Sequence, residues 1–157
     1  MSSLRPKAVF DCNVLLQAVA REHGPAADCL RLVENNSISL YLSKPILREV
    51  GQVLKDSVVR SKNLSLTDEV VDAFLRRITY RGNLVLNTPP VFEYPRDPKD
   101  EMYVDLAAAV NADFLVTRDK DLLDLNSGHS ILAKQFRQRF HTIRILNPVD
   151  FLSQIRK

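Results

Sequence analysis

Five short apolar runs alternate with stretches whose apolar residues recur every three or four positions. That alternation is the strongest limit on what this chain can fold into. The runs are Lys7 to Phe10, Ser39 to Leu42, Asn83 to Leu86, Phe114 to Thr117 and Ile143 to Leu146. Between them, Asn13 to Ala20, Pro25 to Glu34 and the segment begun by Ser43 with Pro45 read as helices. So do Ser65 or Thr67 through Ile78, Asp100 to Val110, and Asn147-Pro148 through Ile155. Ser, Thr, Asn and Asp at these starts supply N-caps, and proline fits the first helical turn. Strands alternating with helices predict an α/β fold, a three-layer α/β/α sandwich around a parallel sheet of four or five strands. At 157 residues, one domain over 1–157 is expected. The segment from Asn126 to His141 is the least patterned.

Charge is nearly balanced: 22 Lys and Arg against 19 Asp and Glu, a formal +3. So small an excess does not by itself demand a nucleic-acid partner, but clustering of the acids would leave the remaining surface distinctly basic. Cys12 and Cys29 stand in no CxxC or Cys/His spacing. That argues against a disulfide framework or a zinc site and for reduced, buried thiols. Met1 to Lys7 lacks a signal-peptide apolar core, and no apolar run approaches the roughly 20 residues needed to span a bilayer. A cytoplasmic protein with no membrane partner is expected.

The informative acids sit at the ends of apolar runs or in line with apolar neighbours. Asp11 closes Ala8-Val9-Phe10, and Asp119 follows Phe114-Leu115-Val116-Thr117-Arg118. Open α/β sheets bind ligands at the carboxyl ends of their strands. Glu49 lies three residues after Ile46 and four before Val53, on the buried stripe of its helix. An inward glutamate is costly unless paired or metal-bound. Asp100 lies three before Tyr103, on the stripe of Tyr103, Leu106, Ala107 and Val110. Glu101 falls on a flank, at the rim, and Asp105 on the opposite side, facing water, where Asp105→Asn would be nearly silent. Singly, Asp11 and Asp100 read as helix caps, Glu49 as a partner for Arg48 or Arg118, and Asp119 as a loop charge. Together, four such carboxylates predict a pocket that repels anions unless a cation fills it, and oxygen ligands suit Mg²⁺ or Mn²⁺. Asp97, Asp121 and Asp124 read as solvated loop charges, with Asp121 a possible cap for Leu122-Leu123.

The segment Val9-Phe10-Asp11-Cys12-Asn13-Val14-Leu15, with Asp97-Pro98-Lys99-Asp100-Glu101-Met102-Tyr103 and Ala112 to Leu123, resembles PIN-domain ribonucleases, in particular the VapC-like toxins of type II toxin–antitoxin systems. The resemblance runs from about residue 7 to 150. By position it implies that Asp11, Glu49, Asp100 and Asp119 are the catalytic, metal-binding acids, supported by Asn13 and Thr117; its third motif leaves Asp100 and Glu101 both open, and helix phase favours Asp100 with Glu101 in support. Cys12 departs from it, standing where the family carries threonine or serine. The resemblance further implies Mg²⁺- or Mn²⁺-dependent hydrolysis of RNA leaving a 3′-hydroxyl and a 5′-phosphate, a homodimer, and a cognate antitoxin as protein partner.

Arg96, Lys99, Arg118 and Lys120 flank the expected site and are candidates to hold phosphates. Phe136 and Phe140 read as the core stripe of an amphipathic helix rather than a strand-gripping surface. His23, His129 and His141 lie outside the motifs. Leu54, Val58, Val59 and Leu64 offer an apolar patch for the expected dimer. A haloacid-dehalogenase-type phosphatase would want an aspartate where Asn13 stands. The alternative from another class is a non-catalytic PIN-like module that binds RNA or protein.

Overall fold

The computed structural model describes residues 5–156. Its strands are β1 (Lys7–Phe10), β2 (Ser39–Ser43), β3 (Asn83–Val85), β4 (Phe114–Val116) and β5 (Arg144–Leu146), and they form one sheet in the order β3-β2-β1-β4-β5. Every pairing is parallel. Successive residues of a strand point to opposite faces, yet Ala8, Val9 and Phe10 are all buried, as are Leu115 and Val116. Both faces of the sheet centre are therefore covered, as parallel sheets require. The expected α/β fold with a five-stranded parallel sheet and flanking helices is what forms.

The helices are α1 (Cys12–Ala20), α2 (Pro25–Glu34), α3 (Lys44–Leu54), α4 (Ser57–Lys62), α5 (Asp68–Arg81), α6 (Glu101–Val110), α7 (Lys120–Ser127), α8 (Ile131–Arg139) and α9 (Pro148–Ile155). The caps act where the sequence puts them: Ser43 Oγ accepts from Ile46 N–H, Thr67 Oγ1 from Val70 N–H and Asn147 Oδ1 from Asp150 N–H. The weakly patterned stretch resolves into α7 and α8, divided by a turn at Gly128. There Phe136 is buried and stacks edge-on against Phe92 at 5.5 Å. Phe136 and Phe140 are thus a core stripe, as their spacing predicts. In the expected dimer patch, Leu54 is fully buried and Val59 packs on the core, so only Val58 and Leu64 stand exposed.

Helix α6 departs from expectation. It runs along the sheet centre, touching β1, β2 and β4, and Val104 and Asp105 are buried with Tyr103, Leu106 and Ala107. Asp105 does not face water: its Oδ1 accepts from Val91 N–H at 2.9 Å and Phe92 N–H at 3.3 Å. Helix periodicity alone turns that face to solvent, whereas the proline-containing strap at residues 87–97 lies over it and needs an acceptor for its backbone N–H groups. Replacing Asp105 with Ala should lower unfolding stability by about 1–3 kcal/mol, the cost of stranding those donors. Urea denaturation reads it, and a midpoint equal to wild type would show that the strap is held by other contacts.

Candidate metal centre

The strand order puts the reversal of chain winding at β1 and β4, the position where open α/β sheets build ligand sites. Phe10 is in register with Val116, so the next residues, Asp11 and Thr117, emerge side by side from the carboxyl ends. Asp11 N–H donates to Val116 O at 2.9 Å, and Thr117 Oγ1–H donates to Asp11 Oδ2 at 2.6 Å. The same Thr117 oxygen accepts from Asp119 N–H at 3.0 Å. One buried hydroxyl thereby fixes two of the expected acids. Asp119 Oδ1 in turn accepts from Asp121 N–H and caps α7, the role first assigned to Asp121.

Asp100 arrives from the other side. It ends a 3-10 turn, Pro98–Asp100, and leads directly into α6 without making a side-chain cap. Asp100 therefore caps nothing with its side chain, and the Asp11 carboxylate lies near the Asn13 N–H without making a capping hydrogen bond. Asp100 is buried, and its Oδ2 has no hydrogen-bond partner. Asp97, Asp100, Asp119 and Asp121 each present a carboxylate oxygen, all within 4.8 Å of one another. Asp97 and Asp121 are thus not merely solvated loop charges. The signal was their spacing, three residues before Asp100 and two after Asp119, where tight turns bring carboxylates together. Burial, with repulsion from Asp119, Asp97 and Asp11, pushes the Asp100 carboxyl up to about 8.

Asp11 stands beside this cluster. Burial raises its pKa, the Thr117 hydroxyl and the Asn13 backbone N–H oppose that, and repulsion from Asp119 and Glu49 adds to it. Glu49 is half-buried, and Tyr103 Oη–H donates to its Oε1 rather than either expected arginine. Tyr103 Oη also accepts from Cys12 N–H at 3.2 Å, so one buried phenol joins α3 to the start of α1 beside Asp11. Its place on the apolar stripe of α6 marks Tyr103 only as core. Asn13 is exposed at the start of α1. Glu101 does not join the cluster, because its Oε2 accepts from Tyr94 N–H at 2.7 Å and holds the strap. Arg96 pairs with Asp121 and Asp124, whereas Lys99, Arg118 and Lys120 are exposed.

The donors suit a hard divalent cation: they are carboxylate oxygens, and an unpartnered one is buried among them, where a cation would offset its desolvation. A site of this make-up can bind a metal ion. Residues 7–121, well over half the chain, match the family model described as PIN domain, and the protein belongs to that family. PIN domains are generally nucleases, and the acidic cluster fits that class. The chain is also similar to an uncharacterized protein of Methanocaldococcus jannaschii, 24% identical over 159 residues, covering 100% of this chain and 96% of that one. Among the described residues, no helix is long and apolar enough to cross a membrane.

A carboxyl whose pKa is about 8 when folded and near 3.8 when unfolded binds its proton more tightly in the native state. It therefore favours folding at low pH and loses that advantage as pH rises between those values. Metal-free protein should lose thermal stability from pH 5 to 8, and Asp100→Asn should flatten the decline. A wild-type profile no steeper than that of the variant would contradict the electrostatics assigned to Asp100.

Proposed function

We propose that this protein is a metal-dependent endoribonuclease, and the observation that carries the reading is Asp100, buried with an unpartnered oxygen among three further carboxylates. Asp100 and Asp119 would hold Mg²⁺ or Mn²⁺, Asp97 and Asp121 would complete the cluster on the strap side, and Asp11 would add its carboxylate from the sheet edge. Glu49, steered by Tyr103, adds charge at the opposite rim. A divalent ion held there supplies neutralisation of the phosphodiester charge and activation of water. No protein nucleophile is required, in keeping with histidines placed outside the motifs. Thr117 donates to Asp11 and so opposes the rise that burial imposes on its pKa.

RNA as the substrate rests on the resemblance to PIN-domain ribonucleases and on the basic residues that ring the acids. On the same ground we place the protein in the cytoplasm, as the toxin of a toxin–antitoxin pair. Val58 and Leu64 at the α4 end, exposed to 60% and 85%, support a homodimer or an antitoxin contact. Sedimentation that stays monomeric at every concentration would exclude the dimer.

Adding Mn²⁺ should raise the melting temperature and switch on cleavage of single-stranded RNA. Loss of an outer partner of a metal ligand already costs about 10–100-fold. Asp100→Asn and Asp119→Asn should accordingly lower cleavage by about 100-fold or more and abolish the Mn²⁺-dependent stabilisation. A folded wild-type protein that neither gains stability nor cleaves RNA at millimolar metal would leave the non-catalytic module as the correct reading.

A further inference from the structure

The 3-10 turn that carries Asp100 has a second face. Asp100 points to the carboxylates, while the adjoining Pro98 and Lys99 wall a separate cleft of about 390 Å³ against α3. The facing wall is built by Arg48, Glu49 and Gln52, and Val53 and Met102 contribute apolar surface. The volume lies within the roughly 300–1,000 Å³ typical of pockets for small ligands or their fragments. Glu49 belongs to both places: it lines this cleft and is near enough to Asp11 to raise that residue's pKa by repulsion.

The two cations of the cleft are uncommitted. Arg48 and Lys99 are exposed, and neither enters an ion pair among the described residues, whereas Arg96, on the far side of the acids, is held by Asp121 and Asp124. A cationic rim over an apolar floor, with the amide of Gln52 beside it, is complementary to one nucleotide: phosphate at the rim, base on the floor. The larger cleft, about 870 Å³ between the strap and α8, lacks this character. Glu93 and Glu101 line it, and its Arg139 donates to Val91 O.

We infer that the cleft between α3 and the Pro98–Asp100 turn is a subsite for a nucleotide flanking the cleaved bond, with Arg48 and Lys99 gripping its phosphate and Gln52 facing its base. This rests on the nuclease reading and deepens it, since it makes the substrate a flexible single strand able to bend across the shared wall at Glu49. Duplex backbone, held stiff by pairing, cannot turn a base onto Met102 and Val53.

The test measures binding of a ten-nucleotide single-stranded RNA in EDTA, and its cleavage with Mn²⁺, for wild type, Arg48→Ala, Lys99→Ala, Gln52→Ala and the α5 surface variant Arg76→Ala. Arg48→Ala and Lys99→Ala should each weaken binding and raise KM on the order of tenfold, with kcat within about twofold. Each should also reduce the slope of log affinity against log salt by about 0.7, the signature of one lost single-strand phosphate contact. Gln52→Ala should weaken binding without changing that slope, and Arg76→Ala should match wild type. If wild type cleaves and the Arg48 and Lys99 variants keep its KM and slope, the subsite is wrong and the nuclease reading stands. If wild type does not cleave, the nuclease reading fails, and the EDTA binding series still decides the cleft: unchanged slopes overturn it, reduced slopes uphold it as a strand-binding site. Melting temperatures near that of wild type establish that the exposed-residue variants are folded.

Discussion

The parallel pairing of β1 with β4 is the constraint on which the rest of the site depends. It sets Asp11 beside Thr117 at the sheet's carboxyl edge, and the 2.6 Å hydrogen bond between them converts backbone register into side-chain position. A slip of one strand by one residue would turn its side chain to the opposite face of the sheet and part the pair. Because Thr117 also accepts from Asp119 N–H, the same contact orients the turn into α7 and, through it, the carboxylate that caps that helix. Ala8, Val9 and Phe10, buried without gaps, make slippage costly and so protect the register.

Around that fixed edge the chain gathers more carboxyl groups than its own polar groups satisfy. Asp100 is buried, lacks a partner for Oδ2, and is pushed up to about 8 by burial and by its neighbours. Ionising such a cluster costs stability, and a cation bound there would offset that cost. The strap over α6 keeps the arrangement closed on one side. Asp105 and Glu101 hold it through backbone N–H groups, and Arg96 anchors it to α7 through Asp121 and Asp124.

The sheet, most helices and several caps were legible in the sequence because each rests on local signals: a short apolar run, a three-to-four-residue stripe, a Ser, Thr or Asn before a helix. The meeting of Asp100 with Asp119 was legible for a similar reason, since strand ends and an inward helix start converge in an α/β fold. What was hidden depends on contacts distant in sequence. Asp105 was assigned to solvent because helix phase cannot know that residues 91 and 92 fold back over it. Tyr103 looked like plain core, since nothing in its neighbourhood reveals that its hydroxyl reaches Glu49, 54 residues away. Asp97 and Asp121 looked like loop charges because turns, rather than regular elements, bring them to the cluster. The short helix α4 carries no buried residue and hence no apolar stripe to betray it.

If the carboxylates around Asp100 form one divalent-cation site, an ion supplied to the protein must order there. The most direct measurement is anomalous X-ray scattering from crystals grown with Mn²⁺. A manganese peak is expected within coordination distance of Asp100 and Asp119, about 2.0–2.6 Å for oxygen ligands of hard divalent cations, and should disappear in Asp100→Asn crystals. Manganese ordered elsewhere, or an Asp100 Oδ2 engaged by a protein donor with no metal density beside it, would rule that site out.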